Sequence, residues 1–227
     1  LYHYFHPLPE LEFVILTKYI QCLQICAMLY QWLRECMHLT LPTQCGLCRL
    51  NIPNLTQTCW CQVCYQRLVE RCQCAHCGLT TQTPMAHCGA CLSNPPLWHQ
   101  LYCVSEYRPP LSVYLHKLKH GKQFWHASSL AQLLATRISQ RPDTITYVPL
   151  HWRRQLVRGF NQSELLARQL STLLNVPLER KLFTRVKPTS KQQGLSKTQR
   201  KRNVQQAFCL NHPPKGKHIA IVDDVVT

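Results

Sequence analysis

Eight cysteines fall into four Cys-x-x-Cys pairs: Cys45-Gly-Leu-Cys48, Cys61-Gln-Val-Cys64, Cys74-Ala-His-Cys77 and Cys88-Gly-Ala-Cys91. Twelve, nine and ten residues separate successive pairs. A pair at this spacing presents two sulfurs to one metal at a tight knuckle. Two knuckles complete a tetrahedral four-sulfur site, so eight ligands make two zinc sites. Thiolates fill every position and leave none for water, which makes the sites structural. First with second and third with fourth is the simple pairing; a crossed pairing satisfies the same ligand count. Cys59 and Cys72, each two residues before a knuckle cysteine, read as free thiols, and His76 and His87 as loop residues. Between knuckles the chain is too short and polar for a core of its own, so metal supplies the folding free energy. A redox Cys-x-x-Cys needs a helix N-terminus after a strand, which nothing here supplies.

The second group of reactive residues lies far along the chain. Asp223-Asp224 closes the apolar run Ile219-Ala220-Ile221-Val222. Adjacent carboxylates repel and persist mainly where a cation or sugar hydroxyls engage them. The segment after Val148-Pro149 carries Arg153, Arg154 and Arg158, followed by Gly159, Phe160, Asn161 and Gln162. Guanidiniums there suit phosphates. Together the two segments point to a magnesium-assisted site for a phosphorylated sugar.

The elements that must position these groups are readable in outline. Residues 217–226 form an apolar run ending in two acids, the pattern of a buried parallel strand. Residues 144–149 read as a second central strand and 101–107 as a third. Residues 111–119 predict a helix closed by Gly121, and Ser128/Ser129 cap another through Ile138. The arginine segment reads as a loop, 163–174 as a helix, and 185–203 as a long mobile loop or arm. Helices alternating with short buried strands predict an α/β sheet, whose ligands bind at the strands' carboxyl ends. Apolar positions in residues 11–33 follow a one-face helical stripe, but no run of about 18 apolar residues marks a membrane span.

Composition divides the same chain in two. It has 227 residues, 15 Cys and a formal net charge of +16. An apolar fraction of 45% excludes wholesale disorder. Residues 1–97 carry 5 Lys/Arg and 4 Asp/Glu, whereas residues 98–227 carry 21 and 6, and 13 of the 15 cysteines precede residue 100. A nearly neutral cysteine module is thus joined near Pro95–Pro96 to a strongly basic domain, which would be drawn to polyanions. Metal-bound thiolates predict a reducing compartment, the cytoplasm.

IVDDVVT at the chain end resembles the start of the ribose-phosphate motif of type I phosphoribosyltransferases. The wider pattern resembles the ComF/GntX family: the four knuckles, YRPPLSVYLHKLKHG (107–121), VPLHWRRQLVRGFNQSELLA (148–167) and TSKQQGLSKTQRKRNVQQAF (189–208). The resemblance implies an α/β fold with a type I phosphoribosyltransferase-like, mostly parallel sheet over residues 97–227. A small double zinc ribbon at 41–96 precedes it, and residues 1–40 form an extension that need not be native, with Met37 a candidate start. It implies that Asp223 and Asp224 contact the ribose hydroxyls and magnesium of phosphoribosyl pyrophosphate (PRPP), and that Thr227 begins the 5′-phosphate loop. Arg153, Arg158 and Asn161 would bind pyrophosphate, and Gln193, Arg200 and Asn203 would lie on a closing hood. Lys191, Lys197, Lys201 and Arg202 would face solvent or DNA. The family is linked to competence and the use of external DNA, so single-stranded DNA and a competence-associated helicase are the implied partners. The alternative is a non-catalytic DNA-binding accessory protein. The family motif continues past Thr227 with a threonine, a glycine and a final threonine, which predicts half a phosphate cradle and no phosphoribosyl transfer by residues 1–227.

Overall fold

A computed structural model describes residues 28–30, 32, 43–52, 59–69, 72–189 and 196–226. The chain divides into two compact units, Leu1–Cys61 and Gln62–Thr227. Of the stripe at 11–33, only residues 28–30 and 32 are described, and these are helical.

In the first unit β1 (Thr43–Gln44) pairs antiparallel with β2 (Asn51–Ile52). The chain between them turns tightly: Cys45 N–H bonds Leu50 O at 2.8 Å and Arg49 N–H bonds Cys45 O at 2.9 Å. Cys45, Ile52 and Trp60 are buried there.

The second unit opens with α1 (Gln62–Leu68). The third knuckle follows, closed by isolated bridges between Gln73 and Thr80 and between Cys74 and Met85, and then α2 (Gly89–Ser93). α3 (Leu111–His120) and α4 (His126–Ala135) come next. β3 (Thr144–Tyr147) leads into α5 (Trp152–Arg158) and α6 (Gln162–Leu174). β4 (Phe183–Arg185), α7 (Lys197–Val204), β5 (Phe208–Leu210) and β6 (Ile219–Val222) complete the order.

β3 and β6 run parallel in register, Thr144 opposite Ile219 and Tyr147 opposite Val222. The residues that follow both strands therefore leave at one carboxyl end. Thr144, Ile145 and Thr146 are all buried, and the two hydroxyls bond Lys215 O and Glu179 O, each at 2.8 Å. α6 packs on β3 and against α4. Leu166, Ala167 and Leu170 of α6 and Leu130, Ala131 and Leu133 of α4 are buried. Each buried leucine side chain contributes about 1.5–3 kcal/mol.

Several expectations change. Among the described residues the β3–β6 sheet is parallel, with a further parallel bridge between Ile145 and Leu178, while β4 and β5 form a separate antiparallel pair, joined by an excursion that contains α7. Antiparallel pairing needs only such a returning loop, whereas parallel pairing demands a crossover. Residues 101–107 form no strand; Leu101 N–H bonds Ala75 O instead. α4 begins at His126, ahead of the two serines, because a turn at Phe124–Trp125 initiates it: Ala127 N–H bonds Phe124 O at 3.0 Å. The arginine segment is helical, ended by Gly159 at φ 81, a left-handed position that favours glycine. Part of the predicted arm is α7, opened by a capping box between Ser196 and Gln199.

Candidate functional site

The sulfurs of Cys45, Cys48, Cys61 and Cys64 lie within 4.8 Å of one another, as do those of Cys74, Cys77, Cys88 and Cys91. The pairs therefore join sequentially. Zinc about 2.3 Å from four sulfurs sets edges of about 3.8 Å. The observed separations are 3.7 Å for Cys48–Cys61, 3.9 Å for Cys74–Cys91 and 3.7 Å for Cys77–Cys88. Cys61 N–H points at Cys45 Sγ (3.3 Å) and Cys88 N–H at Cys74 Sγ (3.2 Å), bonds that steady an anionic sulfur. Burial raises the Cys74 thiol, but backbone N–H groups at Cys77, Cys88 and His76 outweigh it and bring it down to about 6. Cys45 is lowered to about 6 in the same way. Cys91 is pushed up to about 12 by burial and by the sulfurs of Cys77, Cys88 and Cys74. Four thiolates this close need a cation, and both donor sets fit zinc. Cys59 and Cys72 belong to neither cluster.

β6 delivers Asp223 and Asp224 beside the start of α6. Ser163 Oγ donates to Asp223 Oδ1 at 2.8 Å, and Asp224 N–H donates to the same oxygen at 2.8 Å. Gln162 Nε2 donates to Asp224 Oδ1 at 3.2 Å. Lys119, in the last turn of α3, forms an ion pair with Asp224 Oδ2, an oxygen otherwise buried without a hydrogen bond. Burial and then the charge of Asp224 push the Asp223 carboxyl up to about 6. Asn161 holds the corner together. Its Oδ1 accepts Ser163 N–H at 3.0 Å, capping α6, and its Nδ2 donates to Val148 O at 3.0 Å, at the end of β3. Two carboxylates at a parallel carboxyl end can hold vicinal hydroxyls, and their oxygens suit magnesium once Lys119 moves aside.

Arg158 Nη1 donates to Gln162 Oε1 at 2.6 Å, which links it to the acidic pair. Arg153 lies apart, its guanidinium 5.2 Å from the centre of the Trp152 ring. Thr227 and Gln193 lie outside the described residues, as does the side chain of Arg200; Asn203 sits in the last turn of α7. The contacts of Lys119 and Ser163 with the acids are absent from the sequence reading. The available signal was that Lys119 ends a helix in the basic stretch HKLKHGK and Ser163 opens one.

A pocket of about 120 Å³ lies beside this corner, lined by His151, Arg153, Arg154, Arg185, Pro188 and Thr189. Arg185 is buried, its guanidinium 5.3 Å from the centre of the Phe208 ring.

The chain is 42% identical over 198 residues to the "DNA utilization protein YhgH" of Salmonella typhimurium, covering 83% of this chain and 87% of that protein. It is 40% identical over 198 residues to the protein of the same name in Escherichia coli, with the same coverage. The "Competence protein F" of Haemophilus influenzae is 37% identical over 196 residues, 81% of this chain and 85% of that protein. No family model matches the chain. No solved structure matches it either.

Proposed function

The chain belongs to the ComF/YhgH family of competence and DNA-utilisation proteins, and from that premise we propose that, when intact, it serves DNA utilisation by transferring a phosphoribosyl group from PRPP to a nucleophilic acceptor, with pyrophosphate as the leaving group. The observation that carries the proposal is the acidic pair at the shared carboxyl end of β3 and β6. Ser163, Gln162 and Lys119 hold these carboxylates, and Arg158 stands behind them. Asp223 and Asp224 bind the ribose hydroxyls. Magnesium, held by the same carboxylates, would neutralise the pyrophosphate leaving group. As the bond to the anomeric carbon breaks, positive charge grows on the ribose ring, and the fixed carboxylates face it without reorganising. Arg158 and the other arginines of α5 stabilise the departing pyrophosphate. No residue at the corner is placed as a general base for an acceptor.

The two four-cysteine clusters hold zinc and act structurally, in a compartment that keeps thiols reduced. The test is calorimetric titration of the zinc-loaded chain with PRPP. Magnesium-dependent binding that disappears in Asp224→Asn supports the proposal; binding indifferent to magnesium and to that substitution overturns it.

A second reading rests on exposed aromatics in the basic domain, one of them beside a guanidinium. Trp152 is 59% exposed under the Arg153 guanidinium, and Trp125 is 66% exposed. Such surfaces stack unpaired bases. Salt-dependent binding of single-stranded DNA that ignores PRPP and survives Asp224→Asn would favour this DNA-binding role over transfer.

A further inference from the structure

Asp224 Oδ2 stands apart in the acidic corner. It is buried and accepts no hydrogen bond, and its partner is the ammonium of Lys119, reached from the last turn of α3. The neighbouring oxygens are held differently. Gln162 Nε2 donates to Asp224 Oδ1, while Ser163 Oγ and Asp224 N–H both donate to Asp223 Oδ1. Neutral donors thus fix the frame of both acids, and Oδ2 is left to a cation.

That cation is built to leave. An ammonium on a flexible stem is a point charge that can swing away without disturbing the backbone. The Lys119 side chain is 22% exposed and that of Asp224 only 6%, so the lysine has the route to solvent. Lys119 also sits at the carboxyl end of α3, where the helix dipole favours a cation whether or not the carboxylate is engaged. Lys117, from the same turn, is turned elsewhere, its Nζ 5.8 Å from the centre of the Tyr114 ring. A divalent cation engaging Asp224 gains most from Oδ2, because Oδ1 already accepts a hydrogen bond. Two cations on one buried oxygen repel strongly, so it takes one at a time.

We infer that Lys119 is a displaceable gate on the acidic pair: its ammonium and a divalent cation exclude each other at Asp224 Oδ2. A metal ion alone therefore binds poorly, and it enters with a ligand whose own anionic groups receive the released lysine. That the metal is magnesium and the ligand PRPP rests on the transfer reading; the exclusion does not. The gate selects a molecule that carries both a metal for the acids and an oxyanion for the lysine. A metal-bound pyrophosphate ester meets that description, whereas a free sugar or a free metal ion does not.

The experiment titrates the zinc-loaded chain with manganese, a paramagnetic stand-in for magnesium, in the absence of PRPP, and follows water proton relaxation. Manganese prefers oxygen ligands and leaves zinc on its thiolates. Lys119→Met should bind manganese about tenfold more tightly than the wild type, and Lys119→Met combined with Asp224→Asn should return to the wild-type level. Manganese should also raise the melting temperature of Lys119→Met and not that of the wild type. Lys119→Gln, whose amide can still donate to Oδ2, keeps the comparison open if methionine prevents folding. Adding PRPP to the wild type should restore tight manganese binding. Equal manganese affinity in the wild type and the lysine variants overturns the gate and leaves the transfer reading standing, since that comparison contains no PRPP. A gain that survives Asp224→Asn also overturns it, because the ion then sits elsewhere. If the variants gain affinity but PRPP has no effect on the wild type, the gate holds and the transfer reading fails.

Discussion

Replacing Asp223 by asparagine should make the folded protein more stable and, under the proposed function, should abolish PRPP binding. The Asp223 carboxyl is lifted from an ordinary 3.8 to about 6 by burial and by Asp224. The folded protein therefore holds this proton more tightly than the unfolded chain does. Stability from this group is greatest at low pH, declines as pH rises from about 4 to about 6, and is flat above. A shift of about 2 units corresponds to about 3 kcal/mol of destabilisation near pH 7.5, and about half of that near pH 5. Asparagine carries no charge yet keeps an oxygen for Ser163 Oγ and Asp224 N–H, which both use Asp223 Oδ1. Urea unfolding of the zinc-loaded wild type and variant near both pH values measures the difference directly, and metal effects common to both proteins cancel. A variant less stable than wild type near pH 7.5, or a gain equally large near pH 5, would refute the reasoning.

Lys119→Met leaves Asp224, whose side chain is 6% exposed, without its ion-pair partner, and the partial exposure of Lys119 (22%) moderates the effect. The loss should be about 1–3 kcal/mol by urea unfolding and largely recovered when Asp224→Asn is added. Cys74→Ala should reduce bound zinc from two equivalents to one by metal analysis and should expose residues 72–93 to proteolysis, leaving the first cluster loaded. Gly216→Ala meets both a left-handed backbone (φ 97) and a clash, with the added carbon 2.6 Å from Asp143 Cβ. Because Asp143 Oδ2 accepts Lys217 N–H and His218 N–H just before β6, we expect about 1–3 kcal/mol of destabilisation, read as a lower melting temperature. Asn161→Ala removes the cap of α6 and its tie to Val148, at about 1–2 kcal/mol in the same assay.

The parts that were legible in the sequence are those set by local spacing. Two cysteines three positions apart form a knuckle wherever the chain runs, and the apolar run before Asp223 has few alternatives to a buried strand. α5 was not legible because none of its residues is buried, so no apolar periodicity marks it. The Lys119–Asp224 contact depends on how α3 lies against the end of β6, which no local pattern encodes. Arg185 reads as the edge of a polar loop. It is buried because the antiparallel pairing of β4 with β5 sets Phe208 opposite it and beneath its guanidinium. The antiparallel β4–β5 pair was not legible for a related reason: three-residue strands are too short to show alternation.

The helix that buries nothing has one more consequence. α5 has seven residues, with Leu156 75% and Val157 91% exposed, and a helix of that length has little stability of its own in water. Its backbone amides should therefore exchange with deuterium far faster than those of α6 across Gly159. Any ligand gripping Arg153 and Arg154 must quench that opening, so part of its binding free energy goes into ordering the segment. Occupancy should then appear as slowed exchange along residues 152–158, before any change in the average structure is visible.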